Sequence, residues 1–66
     1  MKIKVNGEIQ KINEKMTLKQ LAINYQLDPE KIVIEYNGDI PQKEDYEKIF
    51  LNENDIVELI HFVGGG

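Results

Sequence analysis

Apolar and charged side chains alternate over residues 1–5 (MKIKV), which is the period of a strand that buries one face. Asn6-Gly7 follows, and both residues tolerate the positive φ angles of a tight hairpin turn. A return strand is therefore predicted over about residues 8–13. Ile9 and Ile12 differ in parity within it, so we expect a bulge or an uneven turn, and the pattern leaves the register open.

A helix is predicted to begin at Thr17. Thr17 and Gln20 have the spacing of a capping box, in which the two side chains satisfy backbone N–H groups of the first turn. The helix is expected to end near Leu27, because Asp28 precedes a proline and a residue in that position disfavours the α conformation. One helical face carries apolar side chains that we expect in the core: Leu18, Leu21, Ala22 and Tyr25.

The second half of the chain contains two further strong strand patterns, residues 32–36 (IVIEY) and residues 56–62 (IVELIHF), both rich in β-branched residues. Asn37-Gly38 predicts a turn after the first of them. Residues 43–48 predict a loop with one irregular helical turn, and residues 49–51 a short edge strand. The last strand has the longest apolar run, so we expect it at the centre of the sheet, beside the first strand.

This order of elements predicts an α+β fold, namely a mixed four- to five-stranded sheet covered on one face by one helix. That arrangement is the β-grasp, or ubiquitin-like, fold. A split βαβ sandwich has a related order but needs a second full helix, which the pattern does not show. We expect the domain to cover residues 1–63 and a flexible glycine tail to cover residues 64–66.

Composition removes several classes of function. The 66 residues include no cysteine, no serine, no arginine and one histidine, so neither a Ser–His or Cys–His nucleophile pair nor a cysteine-based or multi-histidine metal site can be built. The net charge of −4 disfavours nucleic acid as a partner. The apolar runs are too short to span a membrane, and the cytoplasm is the expected location.

The glycine tail is the feature of the sequence with the clearest chemical use. Glycine has no Cβ, so a run of glycines is thin, and three extended residues span about 10 Å. A carboxylate at Gly66 is ionised at neutral pH. Such a tail, formed with Gly64 and Gly65, can pass through a narrow channel and deliver the carboxylate to the active site of another protein. The alternative is an ordinary frayed chain end.

The residues before the tail are candidates for partner contact. Alternation along the last strand predicts Val57 and Leu59 on the face covered by the helix. Ile60 and Phe62 are then predicted on the open face, where they would form a docking patch with Val33 in front of the tail. Val63 adjoins the tail and is a further predicted contact. For Ile60, ordinary burial in the core is the alternative.

The whole chain resembles the ThiS-type sulfur carrier proteins of thiamin biosynthesis. The resemblance is strongest in IVELIHFVGGG at the end, and in VIEYNGDIPQKEDY and LNENDIVEL before it. Pro41 and Tyr46 are similar to the family's proline and aromatic residue after the third strand. Asn54-Asp55 resembles its Gly-Asp step, since asparagine also adopts the left-handed conformation. Gln42 stands where the family often has arginine, and the tail has three glycines where the family requires only the last two.

The resemblance implies a protein co-substrate that is not itself an enzyme. A ThiF-type adenylating enzyme would use ATP and magnesium to activate the Gly66 carboxylate, and a cysteine-derived persulfide would convert it to a thiocarboxylate. Thiazole synthase would then take the sulfur. The chain is expected to bind no cofactor or metal. The alternatives are the small sulfur carrier subunit of molybdopterin synthase, a ubiquitin-like modifier of lysines and a non-catalytic β-grasp interaction module.

Overall fold

The computed structural model describes residues 1–61. This part of the chain forms one four-stranded sheet, one α-helix and one 3₁₀ turn at Lys43–Asp45. The elements are β1 (Lys2–Val5), β2 (Glu8–Lys11), α1 (Leu18–Asn24), β3 (Ile32–Tyr36) and β4 (Ile56–His61). The strand order is β2-β1-β4-β3, with β4 parallel to β1 and antiparallel to β3. The predicted β-grasp sheet and the central position of the last strand are therefore confirmed.

The first hairpin is regular, so the expected bulge or uneven turn is wrong. β1 and β2 pair without interruption, and Asn6 and Gly7 have φ angles of 51° and 83°, as a two-residue turn with two left-handed positions requires. Ile12, just after β2, is buried, whereas Ile9 points to the open face and is 68% exposed. The parity conflict disappears because only one of these two isoleucines belongs to the core.

The helix begins as predicted and ends earlier. The Thr17 hydroxyl accepts the Gln20 N–H at 3.2 Å, and the Gln20 side-chain oxygen accepts the Thr17 N–H at 2.9 Å, which completes the capping box. Asn24 is the last helical residue, because Gln26 takes a left-handed conformation with a φ of 61°. The early end leaves Tyr25 37% exposed, so its predicted place in the core is wrong.

The short edge strand expected at residues 49–51 is not formed in the described part of the chain. Phe50 makes only an isolated bridge with Thr17. The Leu18 N–H donates to the Ile49 carbonyl at 3.0 Å, and the Leu51 N–H donates to the Met16 carbonyl at 2.8 Å. The pairing cannot extend further because its partner segment turns into α1 at Leu18.

One face of the sheet and the inner face of α1 share a single core. Its buried members come from all the main elements except β2: Ile3, Val5, Ile12, Leu18, Leu21, Ala22, Ile32, Ile34, Tyr46, Leu51, Val57 and Leu59. The opposite face of the sheet carries no helix in residues 1–61. This open face is therefore accessible to a partner.

Candidate functional site

β4 is the strand that leads into the glycine tail, and its side chains alternate as predicted. Val57 and Leu59 are buried in the core. Ile56 and Ile60 lie on the open face, where they are 52% and 42% exposed. Two positions were predicted for Ile60, the open face and the core, and the structure places it on the open face, where it is accessible.

Ile60 has an apolar neighbour directly across the sheet. It pairs with Val33 of β3, which is half-buried. The next pair on the same face is Glu35 with Glu58, so two carboxylates lie opposite one another beside the apolar pair. Like charges in this position disfavour the isolated sheet, and they border the apolar pair on the side that faces away from the tail.

Asparagine side chains from the two Asn-Gly turns hold β4 at its first residue, Ile56, and at Leu59. The Asn37 side-chain oxygen accepts the Ile56 N–H at 2.8 Å, and the Asn6 side-chain oxygen accepts the Leu59 N–H at 2.8 Å. Both asparagines have positive φ angles, 49° and 51°. Sequence reasoning identified these residues as turn formers and missed the contacts, because the partners lie far away along the chain.

A buried carboxylate organises the turn that precedes β4. Asp55 is 7% exposed, and its oxygens accept the Tyr36 hydroxyl at 2.7 Å, the Asn52 N–H at 2.7 Å and the Asn37 side-chain amide at 3.1 Å. Burial, together with the hydrogen bond to Asp55 and its charge, raises the pKa of Tyr36. Asn54 has a φ of 68°, so it adopts the left-handed conformation expected from the resemblance.

The outer edge of β3 is covered by Tyr46. This residue is 2% exposed, and its hydroxyl accepts the Ile34 N–H at 3.1 Å. Pro41, the other half of the predicted proline–aromatic pair, is half-buried in the segment before it. The contact gives the aromatic residue a structural role, since it protects a strand edge.

Neither a metal site built from side chains nor a membrane-spanning helix is found in residues 1–61. Residues 1–61 contain no group of three or more His, Asp or Glu side chains that could hold a metal ion. No helix among these residues is long and apolar enough to cross a bilayer. Of the predicted docking and tail residues, the structure places Ile60 and Val33, which pair with each other. The others lie outside the described residues: Phe62, Val63, Gly64, Gly65 and Gly66.

Comparison with known sequences gives a consistent result over the whole chain. The sequence model of the ThiS family matches residues 3–66. Sulfur carrier protein ThiS of Bacillus subtilis (strain 168) is 40% identical over 50 residues, which are 76% of each chain. Thiazole synthases of Magnetococcus marinus and Paramagnetospirillum magneticum are 36% and 33% identical over the full 66 residues. The chain spans only about a fifth of those two proteins, 20% in each case.

Solved structures agree with this result. The crystal structure of the thiamine biosynthesis protein ThiS from Geobacter metallireducens superimposes with a TM-score of 0.82 at 26% identity, and all of both chains is covered. A solution structure of a thiamine biosynthesis protein from the same organism gives 0.83 at 26% identity, with 88% of that chain covered.

A mixed sheet covered by one helix, with a central strand that leads into glycines, is the architecture of small proteins of the ubiquitin-like β-grasp class. Within that class, the chain belongs to the ThiS family, the sulfur carrier proteins of thiamin biosynthesis.

Proposed function

We propose that this protein carries sulfur as a thiocarboxylate on Gly66 and delivers it for formation of the thiazole ring of thiamin. The observation that supports this most directly is the family match, which runs through the glycines to residue 66. The relative named a sulfur carrier protein supports the same chemistry. The protein would be consumed and regenerated as a co-substrate, and its partners would supply the catalytic groups.

The first step is activation of a poor acyl donor. A Gly66 carboxylate oxygen attacks the α-phosphorus of ATP, pyrophosphate leaves, and a mixed anhydride with AMP remains. A ThiF-type adenylating enzyme would bind the ATP and magnesium. The acidic net charge of −4 and the absence of arginine are consistent with a partner that performs the phosphate binding, since arginine forms the bidentate clamps that recognise phosphate.

The second step exchanges oxygen for sulfur. The terminal sulfur of a cysteine-derived persulfide attacks the acyl carbon, and AMP leaves. A thiol then cleaves the sulfur–sulfur bond, is oxidised to a disulfide, and releases the thiocarboxylate. The carrier contributes no cysteine, so the cysteine that bears the persulfide and the thiol that cleaves the sulfur–sulfur bond would both come from partners. Because the activation consumes ATP, the cytoplasm remains the location that we propose.

Thiazole synthase is the proposed acceptor of the sulfur. Two relatives named thiazole synthase contain a segment similar to this whole chain within a protein about five times as long. A carrier-like segment and a synthase within one polypeptide are expected to work together, because covalent linkage raises their effective concentration. The names of the relatives also favour the thiamin branch over the molybdopterin branch.

Removal of Gly65 and Gly66 together tests the proposal against a non-catalytic interaction module. Adenylation by a ThiF-type enzyme, measured as ATP-dependent pyrophosphate release, should fall to background. The melting temperature should change little, because the deleted residues follow the last strand. Adenylate formation on the truncated chain would contradict the proposal.

The length of the tail needs a separate pair of variants. Deletion of any one glycine gives the same chain, which ends Val63-Gly64-Gly65 and is shorter by about 3.5 Å when extended. Gly64→Ala keeps the length and the last two glycines. We expect the shortened chain to lose about tenfold or more in adenylation rate, because reacting atoms must lie within about 3.5 Å. Gly64→Ala should stay within about threefold of the original chain.

Mass spectrometry tests the sulfur itself. Protein co-expressed with its adenylating enzyme and a persulfide source should gain the mass difference between sulfur and oxygen, located in the carboxyl-terminal fragment. An unchanged mass under conditions in which the adenylate forms would contradict the carrier step. A mature protein that retains residues beyond Gly66 would contradict the whole proposal.

A further inference from the structure

The two asparagine contacts on β4 have different consequences for the tail. Asn37 holds Ile56, where the strand begins. Asn6 holds Leu59, only three residues before Phe62. β1 ends at Val5, and the Asn6 N–H donates to the Val57 carbonyl at 2.9 Å. The Asn6 side chain therefore continues the contact between β1 and β4 beyond the end of β1.

Beyond Leu59, β4 is paired on one side only within residues 1–61. On the β3 side, Ile60 pairs with Val33 and His61 pairs with Ile32. On the β1 side, the last hydrogen bond in the described part of the chain is the one that the Leu59 N–H donates to the Asn6 side-chain oxygen. A strand held along one edge twists more easily than a strand held along both. Among residues 1–61, the Asn6 side chain is thus the last hydrogen-bond restraint on β4 from the β1 side.

A small change of direction at this point matters because Phe62, Val63 and the glycine tail all follow it. The five residues from Phe62 to Gly66 span at most about 17 Å when extended. A turn of about 15° at the end of the sheet would move the far end of such a segment by about 4 Å. Adenylation needs the carboxylate within about 3.5 Å of the phosphorus, and misplacement by about 1 Å can lower a rate by about a hundredfold.

We propose that Asn6 is a positioning residue for the carboxyl-terminal tail. Its side chain fixes the direction in which the chain leaves the sheet, and so determines how well the Gly66 carboxylate is presented to the adenylating enzyme. The proposal rests on the proposed function, because it assigns Asn6 a part in the activation of Gly66.

Three substitutions separate this role from a general effect on stability. Asn6→Gly removes the side-chain oxygen and keeps a residue that accepts a positive φ. Asn6→Asp also tolerates this turn position and retains an oxygen that can accept the Leu59 N–H. Asn37→Gly is the control at the start of β4, because it removes the oxygen that accepts the Ile56 N–H, together with the amide that donates to Asp55.

Steady-state adenylation with a ThiF-type enzyme distinguishes the variants. Asn6→Gly should lower kcat by about tenfold or more and leave KM within about twofold, because the docking residues are unchanged. Asn6→Asp should restore kcat to within about threefold of the original protein. Asn37→Gly should leave both constants within about twofold, although it too lowers the melting temperature. Equal effects of the two glycine substitutions, or an unchanged kcat in Asn6→Gly, would overturn the proposal.

A measurement on the free protein needs no enzyme. NMR order parameters for residues 60–63 should fall in Asn6→Gly and remain unchanged in Asn37→Gly. In the original protein, the Leu59 amide should exchange with solvent more slowly than the His61 amide. Unchanged order in Asn6→Gly, or equal exchange at the two amides, would overturn the role of Asn6 even if Gly66 is adenylated. An original protein that is never adenylated would instead refute the proposed function.

Discussion

The Tyr46 hydroxyl accepts the backbone N–H of Ile34 at 3.1 Å, on the side of β3 that faces away from β4. Both residues are buried, at 2% and 0% exposure. An edge strand would otherwise leave this N–H without a partner. The loop that carries Tyr46 thus supplies a partner for an N–H group at this edge of the sheet.

Tyr46→Phe should destabilise the protein by about 1–3 kcal/mol, because it leaves the buried Ile34 N–H unpaired while the ring stays in the core. Urea denaturation measures the change. Tyr25→Phe is the control, since Tyr25 lies at the surface, and it should stay within about 0.5 kcal/mol. Equal losses in the two variants would show that the hydrogen bond contributes nothing specific.

Gln26→Gly should stabilise the protein by about 1 kcal/mol. Gln26 follows the helix with a φ of 61°, a conformation that costs a residue with a Cβ about 1–2 kcal/mol. Its N–H donates to the Ile23 carbonyl and the Leu27 N–H donates to the Ala22 carbonyl, the arrangement in which glycine is usual.

The matched control for that substitution lies within the helix. Lys19→Gly, at an exposed helical position, should destabilise the protein by about 0.5–1 kcal/mol. Thermal unfolding of both variants should therefore shift in opposite directions. A loss of stability in Gln26→Gly would mean that its side chain makes a contribution larger than the backbone strain.

Ile60→Ala should affect partner recognition more than folding. Ile60 is 42% exposed on the open face, so the loss of stability should be about 1 kcal/mol or less, while the KM for adenylation should rise. Leu59→Ala, next to it but 4% exposed, should cost about 2–5 kcal/mol of stability. Similar losses of stability in the two variants would place Ile60 in the core and contradict the docking patch.

Tyr36 should make the free energy of unfolding decrease as the pH rises into the alkaline range. Burial, the hydrogen bond to Asp55 and the charge of Asp55 raise the pKa of Tyr36 above its ordinary value of 10.0. The folded protein therefore holds this proton more tightly than the unfolded chain does. The resulting stabilisation is complete below about pH 10 and is lost as pH rises through the raised pKa.

Tyr36→Phe tests this dependence. The free energy of unfolding, measured between about pH 8 and 11, should fall less steeply with pH in the variant. Some slope should remain, because burial and the nearby Glu8 also raise the pKa of Tyr25. Identical slopes in the variant and the original protein would contradict the contribution of Tyr36.

The local features of the fold could be predicted because the residues that produce them are neighbours in the sequence. The Thr17–Gln20 capping box and the Asn6-Gly7 turn each need only a few adjacent residues. The end of the helix was mispredicted because Gln26 adopts a conformation that its side chain disfavours, while Leu27 packs against the core. The register of β2 was uncertain because an exposed isoleucine on an edge strand, Ile9, looks in the sequence like a core residue.

The sequence allowed the candidate site residues to be predicted, but not the long-range hydrogen bonds that hold them in place. Alternation placed Ile60 on the open face because the strand period is local. The contact of Asn6 with Leu59 joins residues separated by 53 positions, and no local pattern shows such a contact. The resemblance singled out Asp55, but its hydrogen bonds could not be predicted, since two of its partners, Tyr36 and Asn37, come from another strand and turn.

The parallel pairing of β1 with β4 has a practical consequence for handling this protein. Because the two strands run in the same direction, Met1 lies at the opposite end of the sheet from His61. Met1 is held there by its amino group, which donates to the Ile12 carbonyl at 2.8 Å, a bond that an amide nitrogen can also make. An affinity tag or fluorescent label joined at Met1 should therefore lie at the end of the sheet opposite His61, and we expect it to leave the rate of adenylation unchanged.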